Sequence, residues 1–338
     1  MNATPTPRVP RVGAFISGWG TAVPDATLTN ADLEARVETS DAWIVERTGI
    51  RERRVAGPAE TTATLGTSAA AAAIKQAGLT PNDIDMLIAA TVTPDQPIPH
   101  TGAYIGESLG LRCGSFDINA ACSGFVYASV TAAAMLGAGL RHVLVVGAET
   151  LSRITDPDDR ATCILFGDAA GAAVLSAHDT ADALLAWDLG CDGSAADVLA
   201  LPAGGSRLPA SATTLANRDH YIKMQGQEVF KRAVRAVVDS ARLTLERAGR
   251  TAADVDWFVP HQANTRIIES AANRLGFEAE RVIVNIERYG NTSSASIPLA
   301  LFEAVEDGRV RAGDLVLLSG FGAGMTWASA LVRWGTPE

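Results

Sequence analysis

Asp83-Ile84-Asp85-Met86-Leu87-Ile88-Ala89-Ala90 is answered half a chain later by Asp254-Val255-Asp256-Trp257-Phe258-Val259-Pro260-His261. Each segment sets two aspartates ahead of a short apolar run with the length of a buried strand. His142-Val143-Leu144-Val145-Val146-Gly147 is answered in the same way by Asp314-Leu315-Val316-Leu317-Leu318-Ser319-Gly320. Both separations are roughly 170 residues, the mark of a duplicated unit. Within each half, helical stretches such as 62–76 and 228–248 alternate with short β-branched strands, which predicts an α/β protein with largely buried sheets. Two similar halves packed about a pseudo-twofold axis would bring strand ends from both to one place.

Those strand ends carry the candidate chemistry. A strand over 115–118 gives way at Asn119-Ala120-Ala121-Cys122-Ser123-Gly124 to an Ala-rich apolar helix over 125–140. The small residues permit a tight turn that leaves the Cys122 sulfur at the helix start, where free N–H groups and the macrodipole favour a thiolate. On Cys122 alone, a nucleophile and a small buried hydrophobe are equal readings. Asp256-Trp257-Phe258-Val259-Pro260-His261-Gln262-Ala263-Asn264 runs a second strand into His261. Arg288-Tyr289-Gly290-Asn291-Thr292-Ser293-Ser294-Ala295 is a polar turn between a strand over 282–286 and a helix over 297–305. On the repeat offset Cys122 is expected within about a residue of Asn291 and Thr292. Each segment places a polar side chain just past a strand, where α/β proteins hold their chemistry. Alone, His261 reads as a structural histidine and Asn291 as a turn residue.

Together, Cys122, His261 and Asn291 resemble the Cys/His/Asn site of the β-ketoacyl-acyl-carrier-protein synthase III family. The resemblance runs over nearly the whole chain. It includes Thr39-Ser40-Asp41-Ala42-Trp43-Ile44, Arg47-Thr48-Gly49-Ile50-Arg51-Glu52-Arg53, Phe166-Gly167-Asp168 and Phe321-Gly322-Ala323-Gly324-Met325-Thr326-Trp327. It implies the thiolase fold, five-layered α-β-α-β-α, built from two pseudo-symmetric halves. Residues 11–184 would form the half with the nucleophile and 185–338 the half with His261 and Asn291. A Pro- and Thr-rich mobile arm over 1–10 would precede them.

The implied reaction is a decarboxylative Claisen condensation of a short acyl-CoA primer with malonyl-acyl-carrier protein. It would pass through an acyl-Cys122 intermediate, give a β-ketoacyl-carrier protein and initiate fatty acid synthesis. A thioester asks for a nucleophile that is also a good leaving group, and a thiol is both. The Cys122 and Ala323 N–H groups would form the oxyanion hole, with Ala323 standing where the commoner family pattern has a third glycine. His261 and Asn291 would stabilise the enolate as neutral donors. For the CoA arm the resemblance points to Trp43, Arg47 and Arg160 at the nucleotide and to Thr39, Phe230 and Asn264 along the pantetheine channel. Gln227 stands where many relatives carry asparagine, and Ala161 where they carry glycine. Leu151 and Ile98 would border the primer pocket, with Ile98 reaching in from a partner subunit of a homodimer. Lys231, Arg266 and Arg274 would dock an acidic carrier protein. No metal or other cofactor is implied; acyl-CoA and the malonyl-carrier protein are substrates.

Rival enzymes share the fold. Thiolases carry a second cysteine near the C-terminal Gly-rich loop, and 321–325 has none. Chain-elongating ketosynthases use two histidines, where Asn291 stands here. A polyketide-priming ketosynthase would keep all three residues, and non-decarboxylating acyltransferases of the family often lose the asparagine. A non-enzymatic binder of acyl-CoA or carrier protein has no need of Cys122 at a helix start.

Composition sets the outer bounds. The chain has 338 residues, 47% hydrophobic, enough for a large core. A net charge of −10 argues against a nucleic-acid binder. Arg47, Arg51, Arg53 and Arg54 nevertheless cluster, as a local anion site or a solvated face. The four cysteines show no metal spacing and no secreted-scaffold density, so they read as reduced thiols in a cytoplasmic protein, three of them as core filler. No apolar run approaches the ~18 residues a membrane helix needs. The Gly-, Pro-, Ser- and Ala-rich stretch over 201–218 reads as a surface excursion.

Overall fold

The computed structural model describes residues 13–178 and 183–335, and the arm expected over 1–10 lies outside them. In the first half, strands β1 (Gly13–Ala22), β2 (Met86–Ala90), β3 (Gly114–Ile118), β4 (His142–Thr150) and β5 (Asp168–His178) form one sheet in the order β1-β5-β4-β2-β3. β2 runs parallel to both β3 and β4, and the other pairs are antiparallel. In the second half, β6 (Leu184–Cys191), β7 (Trp257–Pro260), β8 (Leu315–Gly322) and β9 (Thr326–Arg333) form a sheet in the order β7-β8-β9-β6. Read from the other end, that order matches the first sheet strand for strand, as a duplication requires.

The fifth place in the second sheet departs from expectation. The strand expected over 282–286 is reduced to a single parallel bridge between Val282 and Phe258. The Gln262 side chain explains why pairing stops. Its Nε2 donates to Ile283 O at 3.2 Å and its Oε1 accepts from Asn285 N at 3.1 Å, taking ladder positions that a neighbouring backbone would hold. The chain then turns into the short helix Ile286–Tyr289.

Helices complete the layers. After α1 (Asp41–Thr48), α2 (Thr62–Gln76) and α3 (Thr101–Leu109) cover the outer face of the first sheet. α4 (Gly124–Gly137) and α7 (Ser296–Glu306) lie between the sheets, while α5 (Gly226–Arg247) and α6 (Thr265–Leu275) cover the outer face of the second. The sequences sort the helices this way. Apart from Ser129 and two threonine- or tyrosine-bearing turns, α4 has only small and apolar residues, and such a helix belongs in an interior. α5 and α6 alternate buried valines, isoleucines and alanines with arginine, lysine and glutamate, so each has one wet face. Phe125 of α4 meets Phe302 of α7 edge-on at 6.4 Å in the central layer. The five-layered fold of two pseudo-symmetric halves is therefore present.

All four cysteines are free. Cys163 is buried and Cys113 half-buried, but Cys191 ends β6 at the surface, so it is not the core filler expected. Among the described residues no helix is long and apolar enough to cross a membrane. The stretch over 201–218 is largely exposed, with one short helix at Ala212–Ala216.

Candidate active site

Cys122 sits between β3 and α4 in a single 3-10 turn, Ala121–Ser123, whose first residue has φ 46°. The second half repeats this turn at Ser293–Ala295, just before α7, with Ser293 at φ 48°. A left-handed non-glycine costs on the order of 1–3 kcal/mol and tends to mark functional turns. Each turn rests on a glycine of the opposite half. A Cβ on Gly320 of β8 would lie 3.2 Å from Cys122 O, and one on Gly147 of β4 would lie 2.6 Å from Ser294 O. The counterpart of Cys122 is thus Ser294, and that of Asn291 is Asn119. This corrects the expected match of Cys122 with Asn291 or Thr292.

Cys122 is buried, and burial pushes its thiol up to about 12. The Ser293 hydroxyl pulls against that rise, and the nearby Glu149 carboxylate adds to it. The helix end expected to hold a thiolate is outweighed by desolvation, so Cys122 rests as a neutral thiol. Glu149 is itself fully buried, with no ion-pair partner among the described residues. It accepts from Thr93 Oγ1 at 2.7 Å, from the Val92 and Thr93 amides at 3.0 and 3.2 Å, and from Ser294 Oγ at 2.8 Å. Burial raises its pKa against those hydrogen bonds. Its position in Ala148-Glu149-Thr150, a lone acid ending an apolar strand, was the signal that sequence reading passed over.

His261 follows β7 and is buried, its N–H donating to Ser319 O at 2.7 Å. The ring stands edge-on to Phe321 at 5.7 Å, and Nδ1 lies 2.6 Å from Ser296 Oγ. Burial holds the imidazole down to about 3, so it is neutral at working pH. Asn291 is buried, and its Oδ1 accepts the Ser293 N–H at 2.9 Å. With its oxygen so occupied, its Nδ2 has no partner among the described residues and is free to donate.

A backbone strap fixes Asn291. Its N–H donates to Leu165 O at 2.9 Å, and its carbonyl accepts the Gly167 N–H at 3.0 Å. Arg53 anchors the strap from below through Nη2 to Ile164 O at 2.7 Å and Nη1 to Asn30 Oδ1 at 2.9 Å. Arg53 is fully buried and faces carbonyls, with its guanidinium held down to about 10 by burial. Arg54 likewise donates to the carbonyls of Pro24 and Asp25. The arginine cluster of the sequence is therefore split, and Arg53 and Arg54 form no anion site.

Gly322 lies against the nucleophile turn, where an added Cβ would meet Cys122 N at 2.5 Å. Ala323 takes a negative φ, and Gly324 beside it takes φ 123°. The loop thus accommodates alanine where the commoner pattern has glycine.

The expected nucleotide residues also assemble. Arg160 lies over the Trp43 ring at 4.4 Å and Arg47 at 5.8 Å, all three reaching the surface. Thr39 Oγ1 is buried without a hydrogen-bond partner among the described residues. Asn264 Nδ2 donates to Arg47 O at 2.9 Å, while its Oδ1 caps α6. Phe230, expected in the channel, lies 5.9 Å from the guanidinium of Arg266, expected at the rim. Lys231, Arg266 and Arg274 are exposed and pair with no carboxylate among the described residues. Leu151 is buried beside Ile44 and Cys163. Ile98 is 84% exposed, so it borders no closed pocket among the described residues. No cluster of three or more metal-ligating side chains occurs among the described residues.

A duplicated five-layered fold with a cysteine and a histidine past its strand ends, and an asparagine between a short helix and the matching turn of the second half, defines an acyltransferase of the thiolase superfamily. The family described as 3-oxoacyl-[acyl-carrier-protein (ACP)] synthase III matches residues 116–193, and its C-terminal part matches 245–334. A β-ketoacyl-[acyl-carrier-protein] synthase III of Symbiobacterium thermophilum is 52% identical over 322 residues, spanning 95% of this chain and 98% of its own. The crystal structure of 3-oxoacyl-[acyl-carrier-protein] synthase III from Aquifex aeolicus VF5 is similar with a TM-score of 0.88 and 43% identity, over 95% of this chain and 100% of that one. A priming β-ketosynthase from the R1128 polyketide pathway is similar with a TM-score of 0.89 and 37% identity, over 99% and 100%. The chain belongs to the β-ketoacyl-[acyl-carrier-protein] synthase III family. Its role is that of the ketosynthase III enzymes, which initiate fatty acid synthesis.

Proposed function

We propose that Cys122 attacks the carbonyl of a short acyl-CoA, with the oxyanion received by the Cys122 and Ala323 N–H groups. The C–S bond to CoA breaks, the thiol proton ends on the CoA sulfur, and the acyl group stays on Cys122. Malonyl-carrier protein then loses CO₂, and the bonding pair moves onto the thioester oxygen as an enolate. The neutral His261 Nε2–H and the Asn291 amide donate to that oxygen. The enolate carbon attacks acyl-Cys122, expelling the sulfur as thiolate, which takes one proton from solvent to restore the resting thiol, and the β-ketoacyl-carrier protein is released. The observation that carries this reading is the pair of neutral donors, a histidine held uncharged by burial and an asparagine with only its NH₂ free.

Trp43 would stack on adenine with Arg47 and Arg160 at the phosphates. Thr39, Phe230 and Asn264 would line the pantetheine channel. Lys231, Arg266 and Arg274 would receive an acidic carrier protein at the channel mouth, and Leu151 would border the primer. A second copy of the chain would supply Ile98 to that border. β3 supports a homodimer, because it is a partly exposed edge strand whose outer side pairs with nothing among the described residues. The reaction would need no cofactor and would take place in the cytoplasm.

Intact-mass analysis after mixing with acetyl-CoA tests the first step. One acyl mass is expected on the protein and none on Cys122→Ala. Asn291→Ala should still acylate but release little CO₂ from malonyl-carrier protein. Undiminished CO₂ release there would place the enolate site elsewhere.

A further inference from the structure

A neutral imidazole has two nitrogens and one proton, so whatever lies against Nδ1 decides what Nε2 can offer. In His261 that neighbour is Ser296 Oγ, 2.6 Å away and buried with it. Ser296 Oγ also accepts the Gln262 backbone N–H at 3.4 Å. That contact uses a lone pair and leaves the hydroxyl proton to be placed. Among the described residues, His261 Nδ1 is the only acceptor within its reach. The opposite assignment, with Nδ1–H donating to Ser296, would leave a buried O–H without an acceptor, which folded proteins avoid.

The first half supplies a contrast. α7 begins at Ser296 where α4 begins at Gly124, and the strand end that corresponds to His261 carries Ala90. Hydroxyl and imidazole occur together in one half and are both missing from the other. Asn291 is aimed by a related device, its oxygen held by the Ser293 N–H so that only its NH₂ faces outward.

We propose that Ser296 is a positioning residue whose hydroxyl proton holds His261 in the Nε2–H form and fixes the ring, so that Nε2–H meets the substrate oxygen. The proposal rests on the reading of His261 as an enolate donor, and its test separates the two. With five histidines in the chain, ¹⁵N-histidine labelling can assign the His261 ring by its loss in His261→Ala. The wild-type ring should show a protonated Nε2 and a bare Nδ1; a protonated Nδ1 overturns the proposal outright. Ser296→Ala should still take one acyl mass from acetyl-CoA while CO₂ release from malonyl-carrier protein falls on the order of a hundredfold. Ser296→Thr, which keeps the hydroxyl, should recover most of that loss. CO₂ release within about twofold of wild type in Ser296→Ala, or equal loss of both half-reactions in both variants, also overturns it. Full CO₂ release by His261→Ala would instead defeat the donor reading and leave the ring assignment standing.

Discussion

In the proposed acyl transfer Cys122 would lose a proton that its surroundings oblige it to keep at rest. Burial raises the thiol to about 12, above its ordinary 9.0, and the Ser293 hydroxyl recovers only part of the rise. On that proposal the folded protein would withhold thiolate until an acyl group arrives to take up the charge at the Cys122 and Ala323 N–H groups. The prediction concerns alkylation by iodoacetamide, which reports thiolate. With a thiol this weakly acidic, the rate at Cys122 should climb about tenfold per pH unit between about pH 7 and pH 9, without levelling. A plateau reached below about pH 8 would show that the helix end outweighs burial after all.

At the scale of elements, α1 shows how short motifs fix the residues proposed to bind the nucleotide. Ser40 caps its start by accepting the Trp43 N–H at 3.2 Å, and Gly49 ends it at φ 80°. A Cβ on Gly49 would strike the Thr265 side chain at the start of α6, where Asn264 already ties Arg47 down. Gly49→Ala should cost about 1–2 kcal/mol of stability through the left-handed φ and that contact. The KM for acyl-CoA should rise several-fold in steady-state assays while the malonyl-carrier-protein step holds, because α1 carries Trp43 and Arg47. An unchanged KM would detach α1 from the nucleotide. Such elements were legible where local signals agree: α2 runs over the 62–76 expected, and α5 and α7 begin and end within two residues of expectation. As candidates, Cys122, His261 and Asn291 were legible because each lies at a recognisable strand end or turn. Partners supplied from far along the chain were not. Arg53 sits among arginines and reads as surface charge, yet the carbonyl that buries it comes from Ile164. Gln262 looks like any loop amide, and only its reach to residues 283 and 285 shows why the strand expected there fails to form. Ser296 is one serine among several until His261 is folded against it.

Across the whole molecule, the duplication was readable in the strands, but the way the halves meet was not. Gly320 of the second half rests on the Cys122 carbonyl, and Gly147 of the first rests on the Ser294 carbonyl. Thr326 Oγ1 donates across the same seam to Ala120 O at 2.8 Å, and Ser294 Oγ lies 2.8 Å from Ala90 O. Each turn is thus shaped by the half that does not contain it. The consequence is one of divisibility. Severing the chain between His178 and Leu184 leaves both sheets whole, yet it should give two pieces with neither turn formed. Alone, the piece with Cys122 should not take an acyl group from acetyl-CoA. Co-expressed with the other, it should pair non-covalently and become acylated. An ancestor with a single half would have met the same requirement by pairing with its own copy, which leaves the present chain as such a pair made permanent by one peptide connection.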